Sequence, residues 1–384
     1  VREISTERYF DYNATEPLRA VARKAWEEAL ESFWSNPSSP HAGGVRCRAL
    51  LEQARESLGQ VLQVSSEDLV FTSGATEGNN SVLAHFFAQA DSLSKVAVSA
   101  VEHPSVLHAA KQRFGGKVIP VAVDSHGVLS LDALAEVLNQ SNLELVSVAA
   151  ANNETGVIQP WSDALGMCRE AKVPFHCDVT QWLGRIPVEG LACCDFLTGS
   201  FHKLGGPKGV GFMKTTGLDS TPLLFGGEQE RGRRAGTENL PAILAALAAL
   251  EEAVSEVSDS SPRDLFESRV QELVPGTEIL AKEVERLPNV SALMLSAFEN
   301  LRWINRLDRL GFAVSTGSAC ATANEAPSHV LAAMGLQPEA ARRVIRVSGG
   351  WSNNAENWDE LADSLGSVYR ELSKEEDSSQ VVSL

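Results

Sequence analysis

The side chains best suited to chemistry in this sequence surround Lys203, in the run Gly199–Pro207. A histidine precedes this lysine, and serine and glycine residues lie close to it on both sides. A lysine in an ordinary loop is a solvated charge. Among small, polar and glycine-rich neighbours, a lysine can instead lie in a concave, partly desolvated pocket, where its amine can form a Schiff base with a carbonyl compound. Lys203 alone does not decide between these two interpretations.

Three further groups of polar residues follow predicted strands. The run Thr72–Glu77 leads into a helix, and its small residues, free N–H groups and Thr76 hydroxyl suit a phosphate as well as an ordinary helix cap. His103 follows the next strand, and its ring could lie flat against a planar group or simply cap a helix. Asp178 comes just after another apolar strand, where a carboxylate could keep a pyridine nitrogen protonated or cap the following segment.

The elements that must position these residues alternate along the chain as apolar strands and helices. Near-continuous Val, Leu and Ala strands separated by helices predict a mainly parallel sheet covered on both faces. Open sheets of this α/β class bind ligands in the crevice outside the carboxyl ends of their strands, which is where the polar groups above are expected. The predicted strands are Leu69–Thr72, Lys95–Ser99, Val118–Val123, Leu145–Ala150, Pro174–Cys177, Phe196–Leu197 and Val210–Met213.

Helical patterns are clearest at three places outside this series of strands. Asn36–Arg46, rich in Pro, Ser and Gly, is predicted to be a loop between the first two of these helices. The predicted helices cover Pro17 to about Phe33, roughly Cys47–Leu62, and Leu240–Val257.

The polar run Ser258–Pro262 is the best candidate for a domain boundary. We predict a large cofactor-binding domain over residues 16–260 and a smaller α+β domain formed by residues 1–15 and 261–384. The acidic, Ser-rich tail Glu375–Leu384 is expected to be frayed.

Composition and charge exclude several classes of protein. The chain has 384 residues, of which 43% are hydrophobic and 22% charged, and a formal net charge of −17. This composition is typical of a globular protein, and no basic stripe is present for a nucleic-acid backbone. No stretch is apolar enough for a membrane span, and no signal peptide is visible at Val1–Phe10. We expect a cytoplasmic protein, or an organellar one if a leader was removed, since no initiator Met is present.

Six cysteines in a chain of this size do not form a disulfide framework, and no Cys/His spacing of the zinc type is present. The expected context is reducing, with the cysteines as thiols and no metal site. Cys177 and the pair Cys193-Cys194 adjoin apolar runs and are predicted to be small buried side chains. Cys320 differs because it lies in the Gly- and Ser-rich run Ser315–Thr322, where a loop could swing a thiolate over a bound substrate.

Taken together, a Schiff-base lysine, a carboxylate, a ring that can stack and a phosphate cup are what pyridoxal 5′-phosphate requires. At this point the chain also resembles the cysteine desulfurases, the class V branch of fold-type I pyridoxal-phosphate enzymes, nearly from end to end. The motifs that carry the resemblance are DYNAT (Asp11–Thr15), NPSSPH (Asn36–His41), TSGATE (Thr72–Glu77), EHP (Glu102–Pro104), NNETG (Asn152–Gly156), HCDVTQ (His176–Gln181), SFHKLGGPKG (Ser200–Gly209), GGEQERGRRAGTEN (Gly226–Asn239), STGSAC (Ser315–Cys320) and RVS (Arg346–Ser348).

The resemblance implies the fold-type I architecture, with a mainly parallel seven-stranded sheet covered by helices and a smaller α+β domain. It implies that Lys203 holds the cofactor as a Schiff base. Asp178 would pair with the pyridinium nitrogen, Gln181 would hydrogen-bond the phenolic oxygen of the ring, and His103 would stack on the ring face. The phosphate would be bound by Ala75, Thr76, Ser200 and His202.

The resemblance also implies how subunits and substrate are arranged. Thr237 would reach the phosphate of the neighbouring subunit, so the enzyme would be a homodimer with a shared active site. Asn153 and Arg346 would hold the carboxylate side of the substrate, Arg346 by a bidentate fork. Cys320 matches the catalytic-cysteine loop of the family and is the predicted nucleophile.

The reaction implied is removal of sulfur from L-cysteine. Lys203 would take the α-proton as base, and the thiolate of Cys320 would attack the substrate sulfur, leaving L-alanine and a persulfide. His103 is a candidate proton shuttle near that sulfur. A sulfur-acceptor protein would take the persulfide onward, for iron–sulfur cluster assembly or another sulfur pathway, without direct contact with nucleic acid or membrane.

Three alternatives stay open or are disfavoured at this point. Selenocysteine lyase, or another class V enzyme acting on a small amino acid, would use the same lysine, arginine and loop cysteine. A non-catalytic paralogue that binds a sulfur-transfer partner is less favoured, because such a protein would be expected to lose Lys203 or Cys320. A Rossmann dehydrogenase is disfavoured, because no GxGxxG follows the first strand.

Overall fold

The computed structural model describes residues 5–139, 142–216, 222–256, 259–317 and 328–382. Seven strands form the main sheet of this described part: β1 (Leu69–Thr72), β2 (Lys95–Ser99), β3 (Val118–Val121), β4 (Leu143–Ser147), β5 (Phe175–Asp178), β6 (Phe196–Ser200) and β7 (Gly211–Thr215). The order across the sheet is β1-β7-β6-β5-β4-β2-β3.

The sheet is mainly parallel, as predicted. Strands β2, β3, β4, β5 and β6 pair in parallel, and β7 runs antiparallel between β6 and β1. Since the parallel strands all end at one edge, residues such as Asp178 and Ser200, at the ends of β5 and β6, meet there. The predicted seven-stranded fold-type I sheet is therefore confirmed.

Helices cover both faces of this sheet and continue into the second half of the chain. The helices in the described residues are α1 (Ala20–Ser32), α2 (Ala42–Leu62), α3 (Ala75–Gln89), α4 (Pro104–Phe114), α5 (Leu131–Asn139), α6 (Trp161–Ala171), α7 (Leu240–Ser255), α8 (Ser261–Leu273), α9 (Asn300–Arg309), α10 (His329–Ala333), α11 (Pro338–Ala341) and α12 (Ala355–Val382).

Alternate side chains of the strands explain why both faces are covered. In β2, Val96 and Val98 pack with α3 and α4, whereas Ala97 points to the opposite face, where α2, α5, α6 and α7 pack. Each face is therefore apolar, and each buried Val or Leu contributes about 1.5–3 kcal/mol relative to an exposed one. Strands that are apolar on both sides appear in the sequence as continuous runs of apolar residues, which is why they were predictable.

A second, antiparallel sheet lies in the C-terminal part of the chain. Its strands are β8 (Glu278–Ile279), β9 (Val290–Met294) and β10 (Val344–Ser348), in the order β10-β9-β8. A separate core forms against α8, α9 and α12, and it includes Phe266, Trp303 and Trp358. This sheet positions Arg346, which lies in the middle of β10.

The N-terminal segment joins the two sheets. Tyr9 and Asp11 form isolated parallel bridges with Ala313 and Ser348, next to the smaller sheet. The main-chain N–H of Glu16 then donates to the carbonyl of His202 (2.8 Å), directly after β6. Residues 11–16 therefore cross the space between the carboxyl edge of the main sheet and β10, and this places Asn13 and Ala14 beside Lys203.

Two predictions about helix boundaries were wrong. The first helix begins at Ala20 rather than at Pro17. The predicted loop Asn36–Arg46 is shorter, because α2 begins at Ala42, where His41 caps the helix by accepting from the N–H of Gly44 at 3.2 Å. Such a histidine cap has no strong sequence signal.

The expected fraying of Glu375–Leu384 was also wrong for the part that the structure describes, since α12 continues to Val382. Ion pairs attach the start of this stretch to α9. Arg306 contacts Glu371 at 2.9 Å and Glu375 at 2.6 Å, and Arg302 contacts Glu375 at 3.3 Å. The helix then continues beyond these contacts.

Cys177 and Cys194 are buried, as predicted, but Cys193 is exposed. Cys193 ends the short 3-10 turn Leu191–Cys193, and its neighbour Cys194 is the residue that turns inward ahead of β6. Among the helices of the described ranges, none is long and apolar enough to cross a membrane.

Candidate active site

A cavity of about 580 Å³ opens at the carboxyl edge of the main sheet, and β10 closes one side of it. Polar side chains from both halves of the chain line this cavity. Ten of the predicted site residues are among them: Ala75, Thr76, His103, Asn153, Asp178, Gln181, Ser200, His202, Lys203 and Arg346.

Two predicted residues are not in this set. Thr237 is exposed and lies outside the lining of the cavity of its own chain. Cys320 falls outside the described residues, as does the rest of the segment between Gly317 and Ser328.

Lys203 ends the short turn Phe201–Lys203, which follows β6 directly. Its Nζ donates to the main-chain oxygens of Asn13 and Ala14, both at 2.6 Å. Burial lowers the pKa of Lys203 to about 7, and the positive charges of Arg346 and Arg185 act in the same direction. A lysine amine that is neutral near pH 7 can act as a nucleophile and as a base.

The main chain around Lys203 is fixed from behind the cavity. Arg185 donates to the carbonyl oxygen of Lys203 at 2.7 Å and to Glu16 at 2.9 Å. Gly205 has a φ of +86°, and a Cβ there would collide with the side chain of Arg19. The turn that carries the lysine is therefore held by buried contacts rather than by solvent-exposed loop structure.

Asp178 is the last residue of β5 and is buried. Its Oδ2 accepts from Nδ2 of Asn79 at 2.8 Å, and its Oδ1 accepts from the main-chain N–H of Thr180 at 2.9 Å. Both carboxylate oxygens are therefore oriented. One turn later, Gln181 donates to the carbonyl of Asn13 at 3.0 Å, so its amide also lies against the cavity.

The expected phosphate cup lies at the N-terminus of α3. Gly74 occupies the N-cap position with a φ of 152°, and no side chain caps the helix there. The alternative of a cap by Ser73 or Thr76 is therefore not what the structure shows. A Cβ on Gly211 of β7 would collide with the main chain of Gly74, so this loop needs glycine on both sides.

Two further groups complete this end of the cavity. The Nδ1 of His202 lies 3.1 Å from the hydroxyl of Thr15. Burial lowers the pKa of His202 to about 4, with Lys203 and Lys208 acting in the same direction, so the ring is neutral at physiological pH. Ser200 ends β6 at the same place, and the side chains therefore offer hydrogen bonds to an anion, with Lys208 as a cation on the wall.

His103 caps α4 and also lines the cavity. Its Nδ1 accepts from the main-chain N–H of Ser105 at 3.1 Å and lies 2.8 Å from the hydroxyl of Ser105. Desolvation by the surrounding protein lowers the pKa of His103, although Asp178 acts in the opposite direction. The two roles considered for this residue, a helix cap and a ring facing the site, are thus compatible.

Arg346 projects from β10 into the same cavity and is 1% exposed. Its Nη1 donates to the carbonyls of Asn153 (2.9 Å) and Gly317 (3.0 Å), and its Nη2 pairs with Asp11 at 2.6 Å. Its Nε is buried and has no partner among the described residues. A buried guanidinium N–H without an acceptor is a position where a bound carboxylate would be stabilised.

Three residues that hold the site were not assigned a role from the sequence. They are Asn13, whose main chain receives Lys203 and Gln181; Asn79, which donates to Asp178; and Arg185, which fixes the main chain of Lys203. Asn13 lies inside the DYNAT motif, so a signal was present. Asn79 lies inside α3 and Arg185 in the turns after β5, and only the three-dimensional contacts identify them.

The chain is similar to known proteins over most of its length. Residues 8–361 match the family model described as Aminotransferase class-V. The chain is 34% identical to the protein named cysteine desulfurase IscS of Dictyoglomus turgidum, covering 95% of both chains. It superposes on a solved NifS-like protein with a TM-score of 0.87, at 32% identity over 94% of this chain and 99% of the other. A structure of SspA in complex with cysteine is also similar, with a TM-score of 0.78 at 27% identity, covering 89% of this chain and 98% of the other.

Proposed function

The chain belongs to the class V aminotransferase family, among the cysteine desulfurases, and from this membership we propose how its own residues carry out the reaction. The proposed reaction removes sulfur from L-cysteine with pyridoxal 5′-phosphate as cofactor, releasing L-alanine and leaving a persulfide on Cys320. The observation that carries the proposal is the cavity in which Lys203, Asp178 and Arg346 converge from three separate strands and turns.

The residues present fit pyridoxal phosphate. When bound, this cofactor links covalently to an amine and takes up the electrons of a bond that breaks at the α-carbon of an amino acid. Lys203 supplies an amine whose pKa of about 7 leaves it partly neutral at physiological pH. Asp178 supplies an oriented carboxylate for a pyridinium nitrogen, and Gly74 leaves an open helix N-terminus for a phosphate.

The other cofactor contacts follow from the same placement. His103 faces the cavity and would lie against the ring, while Gln181 would donate to the phenolic oxygen. The phosphate would be held by main-chain and side-chain groups at the N-terminus of α3 and the end of β6, namely Ala75, Thr76, Ser200 and His202. Thr237 would reach the same phosphate in the neighbouring subunit.

Substrate binding and proton transfer are assigned to the side of the cavity next to β10. Arg346 and Asn153 would hold the carboxylate of cysteine, with the unpartnered Nε of Arg346 as one donor. Once its amine is free, Lys203 would act as the base that removes the α-proton of the substrate. His103 would exchange a proton near the substrate sulfur.

Cys320 is proposed as the nucleophile. Its thiolate would form a sulfur–sulfur bond with the substrate while the carbon–sulfur bond breaks with its electron pair left on carbon. A proton then completes the methyl group of alanine. Support comes from the STGSAC motif and from Gly317, three residues earlier, whose carbonyl accepts from Arg346 in the cavity wall.

A matched pair of cysteine variants tests this assignment. Cys320→Ser is expected to abolish alanine formation and persulfide while keeping the visible absorbance of the bound cofactor, because the lysine and its surroundings are unchanged. Cys193→Ser, which changes an exposed cysteine elsewhere, should keep wild-type turnover. Full alanine turnover in Cys320→Ser would contradict the proposed function.

The larger arrangement is proposed on the same basis. The enzyme would be a homodimer that passes sulfur to an acceptor protein, and a reducing compartment such as the cytoplasm would keep its thiols free. The two sheets and their separate cores support a large domain over residues 16–260 and a smaller one over residues 1–15 and 261–384.

A further inference from the structure

A chain of hydrogen bonds crosses the main sheet beneath the cavity, and all its members are described residues. It begins at Ser147 of β4, whose Oγ lies 2.8 Å from Nδ1 of His176 in β5. The Nε2 of His176 lies 3.0 Å from the hydroxyl of Thr198 in β6, and that hydroxyl donates to Oδ1 of Asn79 in α3. These four side chains are at most 1% exposed, so water does not compete for their bonds.

The chain divides at Asn79. Its Nδ2 donates to Oδ2 of Asp178 at 2.8 Å and to the hydroxyl of Ser105 at 2.9 Å. That hydroxyl lies 2.8 Å from Nδ1 of His103. The two branches therefore end at Asp178 and His103, the two groups assigned to the pyridinium nitrogen and to the ring face.

Only one direction of donation satisfies the buried atoms. A carboxylate only accepts, so the amide nitrogen of Asn79 must face Asp178, and its Oδ1 must accept from Thr198. The hydroxyl of Thr198 in turn accepts from an N–H on Nε2 of His176. Burial lowers the pKa of His176 to about 4, so this ring is neutral and its Nδ1 accepts from Ser147.

The contacts of Ser105 fix the tautomer of His103. Its main-chain N–H donates to Nδ1 of His103, so this nitrogen carries no proton in the neutral ring. The Ser105 hydroxyl, which accepts from Asn79, therefore donates its own proton to the same Nδ1. The proton then lies on Nε2, the nitrogen left to exchange protons with a bound molecule. The charged and titratable groups that act on His103 are Asp178, Lys203, His329 and His108.

We propose that Asn79 is a positioning residue that presents Asp178 as an oriented acceptor and holds His103 as the Nε2–H tautomer through one directed hydrogen-bond chain. This inference rests on the proposed function, because that function assigns Asp178 and His103, the ends of the two branches, to the cofactor. Asn79 itself does not line the cavity. It acts through the two residues that it connects.

Selective isotope labelling of histidine side-chain nitrogens in the holoenzyme tests the tautomer directly by NMR, because the chain has only 8 histidines. The His103 signals are identified by their loss in His103→Asn. In the wild type at neutral pH, we expect an unprotonated Nδ1 and a protonated Nε2. A protonated Nδ1 would overturn the proposal, whether or not the enzyme desulfurates cysteine.

Two variants separate the branches. Asn79→Leu removes both branches. The dissociation constant of the cofactor should therefore rise about tenfold or more. The pKa of His103 should also rise, because the Ser105 hydroxyl is then free to turn and accept from a protonated Nδ1. Ser105→Ala cuts one branch, so it should raise the pKa of His103 and change cofactor affinity by less than about twofold.

The neighbouring Asn80→Leu is the matched control, because within the described ranges the Asn80 amide donates to the main-chain oxygen of Thr76 at 2.9 Å and takes no part in the chain of hydrogen bonds. It should leave the His103 titration unchanged. If Asn79→Leu does not fold, Ser105→Ala decides alone. An unchanged His103 titration in Ser105→Ala would overturn the proposal, while the outcome of Cys320→Ser tests the proposed function separately.

Discussion

At the scale of single residues, the environment of Lys203 changes the reactivity of its amine. It keeps two short hydrogen bonds to carbonyls of the N-terminal segment, yet burial and the nearby guanidinium groups of Arg346 and Arg185 lower its pKa to about 7. Below that pH the amine is protonated and cannot attack a carbonyl. Above it the amine is mostly neutral, so the lysine is ready to react in the range in which cells operate.

This gives a pH prediction for cofactor capture. The rate at which cofactor-free protein binds pyridoxal phosphate covalently should increase as the pH rises through about 7. Stopped-flow absorbance measures the rate. Free lysine acetylated on its α-amine is the reference. Its side-chain amine titrates near 10.4, so it should react appreciably only at a higher pH than the protein. Lys203→Ala should show no covalent capture. A protein rate that rises only above about pH 9 would contradict the shifted pKa.

How much of the site could be predicted depends on how far apart in the sequence its partners lie. The position of Lys203 and Asp178 at the carboxyl edge of the sheet was predictable because each adjoins an apolar strand and has glycine or polar residues beside it; their roles stay predictions. The bonds from Asn79 to Asp178 and from Arg185 to Lys203 were not predictable. Asn79 lies inside α3 and Arg185 in the turns after β5, and neither segment shows in its sequence which buried polar partner it will meet. Cys320 was chosen from its motif, and the described residues do not include it.

At the scale of elements, Glu102 illustrates a carboxyl buried between two strand ends. Its Oε1 accepts from the main-chain N–H of Ala149 at 2.5 Å, and its Oε2 has no partner among the described residues. Burial, with the negative charge of Asp178 in addition, raises the pKa of Glu102 to about 8. The folded protein therefore keeps a proton on this group at pH values where the unfolded chain has lost it.

The consequence is a stability that falls as the pH rises. Between the usual carboxyl pKa of about 4.5 and about 8, the folded state binds more protons than the unfolded state, so the free energy of unfolding decreases with pH. Relative to Glu102→Gln, which keeps an oxygen for Ala149, the wild type should lose up to about 5 kcal/mol across this range. Urea unfolding of both proteins at several pH values measures this loss. If the free energies of unfolding of the two proteins changed in parallel with pH, the raised pKa of Glu102 would be refuted.

A second element-scale feature is the buried pair between Arg55 of α2 and Glu230. The guanidinium donates to both carboxylate oxygens, at 2.6 and 3.0 Å, and Glu230 also accepts from the N–H of Phe71 in β1 (2.9 Å). Glu230 and Arg231 have φ of 50° and 58°, which is strained for residues other than glycine. The ion pair offsets that strain and ties the segment that carries Thr237 to the main sheet.

Removing one partner should therefore be costly. In Glu230→Ala the guanidinium of Arg55 stays buried without its carboxylate, and the free energy of unfolding should drop by about 3–5 kcal/mol. Asp363→Ala is the control, because its pair with Arg269 is about half exposed, with side-chain exposures of 58% and 44%. That change should cost less than about 1 kcal/mol. Similar losses in both variants, measured in urea, would show that burial does not set the value of these pairs.

Elements differed in how well their sequence predicted them. The strands of the main sheet were found because residues such as Val96, Ala97 and Val98 are apolar on both faces. The start of α2 was missed because its cap, His41, is not a usual cap residue, and the length of α12 was missed because Arg306 lies far away in sequence. Local pattern therefore predicted the elements that are buried throughout, but not those whose ends depend on a distant partner.

At the scale of the whole molecule, the site is assembled from both sheets and, as proposed, from two subunits. Within one chain, Arg346 on β10 and Lys203 line the same cavity, so the smaller sheet forms one of its walls. Thr237 is exposed and does not line the cavity of its own chain. Its segment is fixed by Glu230 and by the pair of Arg234 with Glu77 at 2.9 Å, beside the proposed phosphate site. A rigid, exposed segment of this kind is suited to completing a neighbouring site.

Mixed dimers distinguish a contact in trans from one in cis. In the first dimer, one subunit carries Lys203→Ala and the other carries Thr237→Val. Its single lysine-containing site then receives an intact Thr237 only if the threonine comes from the other subunit. In the second dimer, both changes lie on one subunit and the partner is wild type.

A contact in trans predicts near-wild-type cofactor affinity in the first dimer. In the second dimer it predicts about ten- to hundredfold weaker affinity, since one hydrogen bond to a charged group is lost. Two different affinity tags isolate each mixed dimer, and absorbance titration measures binding at its one competent site. The reverse order of affinities would place Thr237 in the site of its own chain, and equal affinities would remove it from the cofactor contacts.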